Sequence, residues 1–470
     1  MAADSTDLDI VIMAAGKGTR MRSKWPKVLH KLAGSALLQH VLDTAAVLGA
    51  QRIVVVTGHG AEAVEAEARG PHLAFVRQEP QLGTGHAIQQ ASPLLQDGGT
   101  TLILNGDVPL IEADTARTLI AASGGSQLAL LTIEMPDPNG YGRIVRGDPA
   151  GRDAREGGRI RRIVEERDAS PTERQIREVY TGVMAAPTAA LKRWLGALRN
   201  DNAQGEYYLT DIVSMAAADG VAVVATQPRS PIEVMGVNSP VQLAELERLL
   251  QRRHAEDHMQ AGVRLADPAR FDVRGTLTCG SDVEIDVGCI FEGEVVIGPE
   301  VRIGAHCVIR NAVIEAGAVI RPYTHIDGDT LGASVGSGSV VGPFARLRGG
   351  ARLDADVHVG NFVEIKNSHL AEGAKANHLA YLGDADVGAR VNFGAGSITA
   401  NYDGANKHRT TIGADAHVGS NCVLVAPVTV GSGATIGGGS TISRDAPPGQ
   451  LTVARARQAT LAQWKRPTRR

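Results

Sequence analysis

Apolar residues recur at every sixth position over most of the stretch from about Val283 to Ile442. A period of six matches neither the 3.6 of an α-helix nor the 2 of a β-strand. It fits a chain that turns a corner after each short strand, so that three hexads form one coil of a parallel β-helix. The pattern therefore predicts a prism with large apolar residues inside and flat faces outside. One uninterrupted run places these residues at Val335, Val341, Leu347, Leu353, Val359 and Ile365.

A second run repeats the pattern after an interruption. It places large apolar residues at Ile412, Val418, Leu424, Val430, Ile436 and Ile442. The segment from Asn401 to His408 breaks the period between the two runs. Interruptions of a solenoid commonly carry binding function, so we interpret this segment as a binding loop. A surface loop without function is the alternative.

Composition limits the remaining possibilities. A chain of 470 residues is long enough for two or three domains. A net charge of -3 gives no bulk attraction to nucleic acid or to an anionic membrane. The four cysteines have no metal-type spacing, so we interpret them as reduced packing residues. We expect neither a signal peptide nor a transmembrane helix, and a cytoplasmic location.

The N-terminal segment combines a short strand with a loop of small residues. Asp9 to Met13 is apolar apart from its first residue and runs directly into Ala14 to Met21. Small residues let backbone amides approach a phosphate chain, and Lys17, Arg20 and Lys27 supply positive charge. The loop matches neither the Walker pattern nor the complete dinucleotide-binding pattern. A generic turn remains the alternative for this segment taken alone.

Strands and helices alternate along the first half of the chain, which predicts an α/β domain with a largely parallel sheet. Asp107 follows an apolar strand directly, where ligands of such sheets bind, so we expect it to hold a divalent cation. Its alternative role is to help the turn into Val108 and Pro109. Further strands are predicted at Arg52 to Thr57, Leu73 to Arg77, Thr101 to Leu104 and Gln127 to Ile133.

A charged helix is predicted between the two patterns. From Pro240 to Gln260, Leu243, Leu246 and Leu250 lie on one helical face among many charges, which is typical of a linking helix. We therefore predict a first domain over residues 1–239, a linker over 240–261, the prism over 262–451 and a tail over 452–470. The Gly- and Arg-rich stretch from Gly147 to Arg159 has no predicted function.

Several motifs resemble those of a known enzyme family. The N-terminal motifs are those of the sugar-1-phosphate nucleotidyltransferases: Ala14 to Met21 with Pro26 and Lys27, Gln81 to His86, and Gly106 to Leu110. Joined to a hexapeptide prism that carries Asn377 to Asp384 and Asn401 to Gly404, the whole chain resembles the bacterial bifunctional N-acetylglucosamine-1-phosphate uridylyltransferase/glucosamine-1-phosphate acetyltransferase family.

That resemblance implies a left-handed prism, a homotrimer and two reactions. One acetylates glucosamine-1-phosphate with acetyl-CoA, and the other joins UTP to N-acetylglucosamine-1-phosphate and releases pyrophosphate. The product would be UDP-N-acetylglucosamine, a precursor of peptidoglycan and lipopolysaccharide. Small-molecule substrates and Mg²⁺ would then be the only partners besides other copies of the chain.

The resemblance also implies roles for residues of the first domain. Arg20 and Lys27 would bind the triphosphate as catalytic cations, and Asp107 with Asn238 would hold Mg²⁺. Nucleotide-binding roles fall to Ala14, Ala15, Gly16, Lys27, Gln78, Gly83, Thr84 and Asn105, and sugar-binding roles fall to Gly142, Glu165, Tyr180, Thr210 and Asn238. Two of these depart from the family, which usually has Asn at the position of Tyr180 and Tyr at that of Asn105.

In the prism, acetyl transfer requires a base for the amine proton and a donor for the thioester oxyanion. We predict that His378 is the base, with a structural histidine as the alternative. By similarity, the sugar phosphate would contact Arg346, Lys366, Tyr381 and Asn392, although a solvated prism face would also contain such charged residues. The acetyl-CoA site would comprise Ala395, as oxyanion donor, with Asn401, Tyr402, Ser420, Gly438 and Arg455.

Two other functions are compatible with parts of this pattern. The first is a nucleotidyltransferase for another sugar whose prism has lost acetyl transfer, which His378 argues against. The second is a structural, trimer-forming solenoid with a regulatory nucleotide-binding domain. That protein would need no base, no magnesium ligand and no coenzyme groove.

Overall fold

The computed structural model describes residues 7–147 and 158–466. The chain divides into two compact units, Met1–Leu249 and Leu250–Arg470. The division falls within a single long helix, Pro240–Gln260, which coincides with the predicted linking helix. Within the described residues, the helices are all too short or too polar to cross a bilayer. Most of the Gly147 to Arg159 stretch lies outside the described residues.

The first unit is a mixed sheet flanked by helices, as the alternation of strand and helix signals predicted. Its strands are β1 Leu8–Met13, β2 Lys31–Leu32, β3 Ser35–Ala36, β4 Arg52–Thr57, β5 Leu73–Arg77, β6 Thr100–Asn105, β7 Leu128–Glu134, β8 Gly142–Arg146, β9 Ile160–Val164, β10 Glu178–Pro187 and β11 Val223–Thr226. Its helices are α1 Leu37–Ala46, α2 Ala61–Glu67, α3 Thr84–Ala91, α4 Ala113–Ser123, α5 Thr188–Ala197, α6 Ile212–Ala218 and the start of α7 Pro240–Gln260.

The order of strands in the main sheet is β11-β7-β10-β6-β1-β4-β5. Neighbours are parallel except at β10, which runs antiparallel to both β6 and β7. β8 extends from β10 and pairs with β9 as an antiparallel hairpin. The middle residues of β1, β4 and β6, at positions 10–12, 53–56 and 102–104, are apolar and buried because helices cover both faces of these strands.

This topology determines where a site can form. Because β1, β4, β5 and β6 are parallel, the segments that follow them lie at the same edge of the sheet. Ala14 follows β1, Gln78 follows β5, and Gly106 follows β6. The sheet therefore brings together side chains that are far apart in the sequence.

The second unit is the predicted parallel β-helix. One face is a ladder of Arg264–Leu265, Glu284–Ile285, Arg302–Ile303, Val319–Ile320, Val340–Val341, His358–Asn361, Lys375–His378, Asn392–Phe393, His417–Val418, Thr435–Ile436 and Leu451–Thr452. The long strands Phe271–Cys279, Cys289–Ile297 and Val308–Ile314 begin the other two faces. The second face continues with His325–Asp327, Arg346–Arg348, Glu364–Lys366, Tyr381–Gly383, Ile398–Ala400, Val423–Val425 and Thr441–Ile442. The third continues with Ala333–Val335, Arg352–Leu353, His369–Leu370, Ala385–Val387, Thr410–Ile412 and Val428–Val430.

The register of the ladders confirms the hexad interpretation. Val340 pairs with His358, 18 residues further on, which corresponds to three hexads per coil. The twelve apolar residues of the two predicted runs are each at most 3% exposed. Corners require left-handed backbone even at bulky residues, as at Phe344 and Phe362, whose φ values are 54° and 56°. The prism core is thus a column of buried apolar side chains.

The predicted interruption is an insertion between two coils. Asn392 pairs with His417, 25 residues further on, so this coil is seven residues longer than a regular one. The extra residues form a loop that is closed by an antiparallel bridge between Tyr402 and Lys407. The loop therefore brings Lys407 back toward the prism.

Candidate active sites

A cavity of about 400 Å³ lies at the carboxyl edge of the sheet in the first unit. All of the predicted nucleotide-binding residues line it, together with Asp107. The lining comprises Met13, Ala14, Ala15, Gly16, Lys17, Lys27, Val28, Gln78, Gln81, Gly83, Thr84, Ala87, Asn105, Asp107 and Glu206. A Cβ atom added to Gly16 would meet no protein atom within 4 Å, so the absence of a side chain leaves room for a ligand to approach this backbone.

A cation and two oxygen ligands converge at one end of this cavity. Lys27 Nζ forms a salt bridge with Asp107 Oδ2 and donates a hydrogen bond of 2.9 Å to Asn238 Oδ1. Lys27 and Asp107 expose only 12% and 23% of their side chains. The backbone N–H of Asn238 donates to Gln242 Oε1 at 2.8 Å, which fixes the start of α7 beside the group. The fold thus holds one carboxylate and one amide oxygen around a positive charge.

This pair fits a hard divalent cation that is shared with phosphate. Mg²⁺ prefers oxygen ligands and is commonly held by one or two side chains, with the remaining positions filled by substrate phosphates and water. No cluster of three or more His, Cys, Asp or Glu side chains within residues 7–147 and 158–466 could hold a metal by itself. A cation at Asp107 and Asn238 would therefore be completed by the substrate.

Arg20 differs from the other predicted phosphate contacts. It lies in a short 3₁₀ turn, Thr19–Met21, and is exposed outside the cavity lining. Gly18 begins this turn with φ 58°, and a Cβ there would lie 2.7 Å from Lys27 Cβ. The loop is therefore packed tightly against Lys27 while Arg20 faces solvent.

The four predicted sugar-binding residues other than Asn238 come together beside β8 and β10. Gly142 pairs with Tyr180 across the two strands, and Thr210 Oγ1 donates to Glu165 Oε1 at 2.9 Å. A Cβ on Gly142 would lie 3.8 Å from that same carboxylate oxygen. Burial raises the pKa of Glu165, and nearby acidic groups, among them Asp211, add to the rise.

Tyr180 is the most unusual member of this group. It is 8% exposed, and its hydroxyl is buried with no hydrogen-bond partner among the described residues. Burial, followed by the charge of Glu165, raises the pKa of Tyr180 well above its ordinary value. Asn105, the second departure from the family, donates from Nδ2 to the carbonyl of Gly182 at 3.2 Å. The two departures thus lie on adjacent strands, β10 and β6.

Three further residues, Gln81, Glu206 and Tyr141, lie at the cavity or near Asp107, although the sequence analysis assigned them no contact. Gln81 and Glu206 line the cavity, and Gln81 donates to the carbonyl of Ala15. Tyr141 is half-buried, and the charge of Asp107 contributes to raising its pKa after the larger effect of burial. The motif from Gln81 to His86 could have predicted the position of Gln81 in the cavity lining. The sequence around Tyr141 and around Glu206 contains no motif that predicts a place in this region.

In the prism, His378 is held by a neighbouring coil. It pairs with Asn361 in the ladder, and the His378 Nδ1 to Asn361 Oδ1 distance is 2.8 Å. An amide oxygen accepts only, so Nδ1 carries the proton and Nε2 keeps its lone pair. His378 is exposed, so this lone pair is available to a substrate amine.

Cationic side chains collect on the second prism face. Contact with Lys407 is the largest cause that lowers the pKa of Lys366, followed by burial and then by the charges of Lys407 and Arg348. Arg346 and Arg348 both contact Glu364, at 3.5 Å and 2.9 Å. Two ammonium groups in contact repel each other unless an anion lies between them, so the cluster fits a phosphate. Lys407 was not predicted, because the inserted loop brings it there.

Tyr381 and Asn401 lie against the same coil. Tyr381 pairs with Glu364 in the ladder, and a Cβ on Gly383 would lie 2.3 Å from its hydroxyl. Asn401 Nδ2 donates to the buried carboxylate of Asp384. Tyr402 is exposed, and its hydroxyl donates to Gly404 O at 2.6 Å. Asn392 is exposed on the first face, and its Nδ2 is 3.0 Å from His417 Nδ1.

The remaining predicted acetyl-CoA residues follow the next coils. In the described part of the chain, no acceptor takes a hydrogen bond from the Ala395 N–H, which leaves it available for an oxyanion. Arg455 Nη1 donates to Gly438 O at 2.6 Å. A Cβ on Gly438 would lie 3.3 Å from Ser420 O, so these residues form one continuous surface.

His378 lines a cavity of about 400 Å³ together with Asn361, Phe344 and Phe362. The basic cluster and the residues from Ala395 onward are not part of that lining.

Comparisons with known proteins agree with both halves. The model of the MobA-like NTP transferase domain matches residues 10–265, more than half of the chain. The model of the GMPPB C-terminal domain matches residues 273–371, and the bacterial transferase hexapeptide model matches residues 409–444.

Curated relatives extend over nearly the whole chain. The bifunctional protein GlmU of Methylibium petroleiphilum is 72% identical and covers 98% of this chain and 100% of its own length. That of Acidovorax sp. is 63% identical over 99% of both chains, and that of Azoarcus sp. is 58% identical over 98% of this chain and 100% of its own. The chain therefore belongs to the GlmU family of bifunctional enzymes of UDP-N-acetylglucosamine synthesis, with a uridylyltransferase domain and a hexapeptide acetyltransferase domain.

Proposed function

We propose that the two reactions use the two sites described above and that the divalent cation of the first is Mg²⁺. The observation that carries the uridylyl assignment is the convergence of Lys27, Asp107 and Asn238 at the end of the nucleotide cavity. In this proposal the uracil end of UTP lies at Gln78, Gly83 and Thr84, and the triphosphate lies at Gly16 and Lys27. Arg20 reaches the triphosphate only if its exposed turn closes over the ligand.

The uridylyl reaction requires positioning more than covalent help. The phosphate of N-acetylglucosamine-1-phosphate attacks the α-phosphorus of UTP, and pyrophosphate leaves on the opposite side. Bound Mg²⁺ would neutralise charge on the phosphate oxygens. Asp107 and Asn238 would hold this cation, and Lys27, no longer paired with Asp107, would contact the triphosphate. Glu165 and Thr210 orient the acetamido sugar, and the buried Tyr180 packs behind them.

For acetyl transfer, His378 accepts a proton from the glucosamine amine through Nε2. Asn361 keeps that nitrogen unprotonated by holding the other one. The basic cluster of Lys366, Lys407 and the neighbouring arginines binds the sugar phosphate. The Ala395 N–H stabilises the oxyanion as the amine attacks the thioester, and coenzyme A leaves along the surface of Ser420, Gly438 and Arg455.

The acetyl site is proposed to be completed by a neighbouring copy in a homotrimer. Large apolar side chains stand exposed in a column beside His378. Tyr323, Phe344 and Phe362 are 53%, 48% and 57% exposed, and their rings stack 5.1 Å and 5.4 Å apart. Such a column favours burial against another protein surface. We also propose a cytoplasmic location for the enzyme.

One assay tests both proposals together. Pyrophosphate and free coenzyme A are followed in the same reaction while Mg²⁺ or a single substrate is omitted. We expect coenzyme A release to require glucosamine-1-phosphate and acetyl-CoA, and pyrophosphate release to require Mg²⁺ and UTP as well. Release of pyrophosphate with no divalent cation present would exclude the proposed role of Asp107 and Asn238.

Mixed assemblies test the shared acetyl site. His378→Ala chains are mixed with chains that carry Asn401→Ala and Tyr402→Ala, each inactive alone in acetyl transfer. Partial recovery is expected, because some interfaces then combine one intact half from each chain. The absence of recovery in proven mixed trimers would mean that each prism has a complete site.

A further inference from the structure

A chain of three polar side chains lies behind the nucleotide cavity. Gln78 follows β5 and is 5% exposed. Its Nε2 donates to Gly83 O at 2.8 Å and is 3.3 Å from His86 Nδ1. The other ring nitrogen of His86, Nε2, is 3.0 Å from the amide nitrogen of Gln90, one turn further along α3. His86 therefore joins a residue of the cavity wall to the body of a helix.

The hydrogen-bonding capacity of these groups fixes the orientation of each. Gly83 O can only accept, so the nitrogen of the Gln78 amide must face it. That nitrogen has two protons, and the second points to His86 Nδ1, which therefore accepts. In a neutral imidazole the other nitrogen, Nε2, then carries the proton. The Gln90 amide, whose nitrogen lies at this position, must therefore turn by 180° so that its oxygen accepts from Nε2.

The surroundings of His86 restrain its ring. The ring centroid of Tyr207 is 6.3 Å from that of His86. Tyr207 is itself tied to α3, because Gly85 N donates to Tyr207 O at 2.7 Å. The Gln78 backbone is held in turn by a bond of 2.8 Å from its N–H to Thr57 O. Neither the amide nor the ring can therefore change orientation without breaking a buried contact.

The other polar atom of the Gln78 amide is its oxygen, Oε1. Among the residues that the structure describes, none donates a hydrogen bond to Gln78 Oε1. Gln78 lines the nucleotide cavity, so this oxygen is the group it can offer a ligand. A carbonyl oxygen accepts from a ring N–H and repels a ring nitrogen that has only a lone pair.

We propose that His86 is a positioning residue that holds the Gln78 amide with its oxygen toward the nucleobase, and that it thereby selects uracil over cytosine. Uracil presents a ring N–H beside its carbonyl groups, whereas cytosine has a bare nitrogen at the same position. The inference rests on the proposed placement of the base at Gln78. It adds that the discrimination depends on a residue that does not line the cavity.

The experiment compares UTP with CTP as the nucleotide substrate in full-length enzyme. In His86→Phe the ring remains but one of the two acceptors is lost, so the Gln78 amide is held by Gly83 O alone and its orientation is less restrained. We expect the ratio of kcat/KM for UTP to that for CTP to fall about tenfold, the value of one hydrogen bond with a mismatched partner. The KM for N-acetylglucosamine-1-phosphate and the rate of acetyl transfer should not change.

Two amide substitutions serve as matched variants. The oxygen of His86→Asn can occupy the place of Nδ1, so the UTP to CTP ratio should stay within about threefold of the wild type. His86→Gln places its amide nearer to Gln90 and should lose the preference as His86→Phe does. If His86→Phe does not fold, the difference between these two variants tests the proposal.

Several results would overturn the proposal. One is an unchanged ratio of kcat/KM for UTP to that for CTP in His86→Phe. Another is an equal fall of this ratio in His86→Asn and His86→Phe, which would indicate that His86 acts through ring packing alone. Gln78→Leu distinguishes the binding of the base at Gln78 from the positioning role of His86. If Gln78→Leu leaves the ratio unchanged, the base is not bound at Gln78 and both assignments fail. If Gln78→Leu lowers the ratio and His86→Phe does not, only the role of His86 is wrong.

Discussion

The hydrogen bond between Asn361 and His378 predicts a measurable effect on acetyl transfer. Asn361→Leu preserves side-chain volume but removes the oxygen that is 2.8 Å from His378 Nδ1. The imidazole can then place its proton on either nitrogen, and part of the population loses the lone pair at Nε2. A neutral hydrogen bond contributes about 1 kcal/mol, and 1.4 kcal/mol is a factor of ten in rate. We therefore expect kcat for acetyl transfer to fall about fivefold.

The assay is release of free coenzyme A under saturating substrates. The KM for acetyl-CoA should change little, because Asn361 orients the base and does not bind the thioester. His378→Ala should lower kcat by about 10² to 10⁴, the usual contribution of a general base. Adding Asn361→Leu to His378→Ala should cost nothing further, since the two residues act as one unit.

A matched control exists on another face of the prism. His369 Nε2 lies 2.9 Å from Asp354 Oδ2 in a similar cross-coil contact. Asp354→Leu should leave acetyl transfer unchanged. A full additional loss from Asn361→Leu in the His378→Ala background, or unchanged kcat in Asn361→Leu alone, would refute the tautomer argument.

Three further substitutions test individual contacts. The pKa of Glu165 is raised in the folded protein, so the protonated carboxyl stabilises the fold at low pH and this stabilisation is lost as the pH rises through that pKa. Glu165→Gln should therefore unfold at a higher temperature than the wild type at neutral pH but not at acid pH. Its kcat/KM for N-acetylglucosamine-1-phosphate should fall about tenfold. Tyr180→Phe removes a buried hydroxyl that has no partner, so unfolding should be about 1 kcal/mol more costly and the KM for the sugar phosphate should rise less than tenfold; a hundredfold rise would show an essential contact. Lys407→Met removes the repulsion of Lys366, so thermal stability should be kept while the KM for glucosamine-1-phosphate rises about tenfold, and an unchanged KM would exclude Lys407 from the phosphate site.

Patterns of local origin were predicted well. β4 and β5 have the predicted ends, and the helix Pro240–Gln260 coincides with its prediction. The hexads identified the residues that fill the prism, because a period in the sequence is repeated as a period in space. The nucleotide cavity was predictable for a similar reason, since parallel strands bring their following segments to one edge.

Contacts between distant segments could not be derived in this way. β10 enters the sheet antiparallel between β6 and β7, which depends on packing and not on its own sequence. Lys407 reaches Lys366 because of the length and closure of the inserted loop. The missing partner of the Tyr180 hydroxyl depends on every residue around it. Such contacts require coordinates because no residue type or spacing encodes them.

The independence of the two sites is the central claim, and one paired measurement tests it most directly. Asp107→Ala and His378→Ala are each assayed for release of pyrophosphate and for release of coenzyme A. The pyrophosphate assay is supplied with N-acetylglucosamine-1-phosphate, so that it does not depend on acetyl transfer. Asp107→Ala should lose at least about 10³ in uridylyl transfer, because an unbalanced charge costs on the order of 4 kcal/mol near a protein surface, and should keep its acetyl transfer. His378→Ala should show the opposite pattern. Loss of both reactions in either folded variant, or near-normal pyrophosphate release by Asp107→Ala under saturating Mg²⁺, would contradict the account.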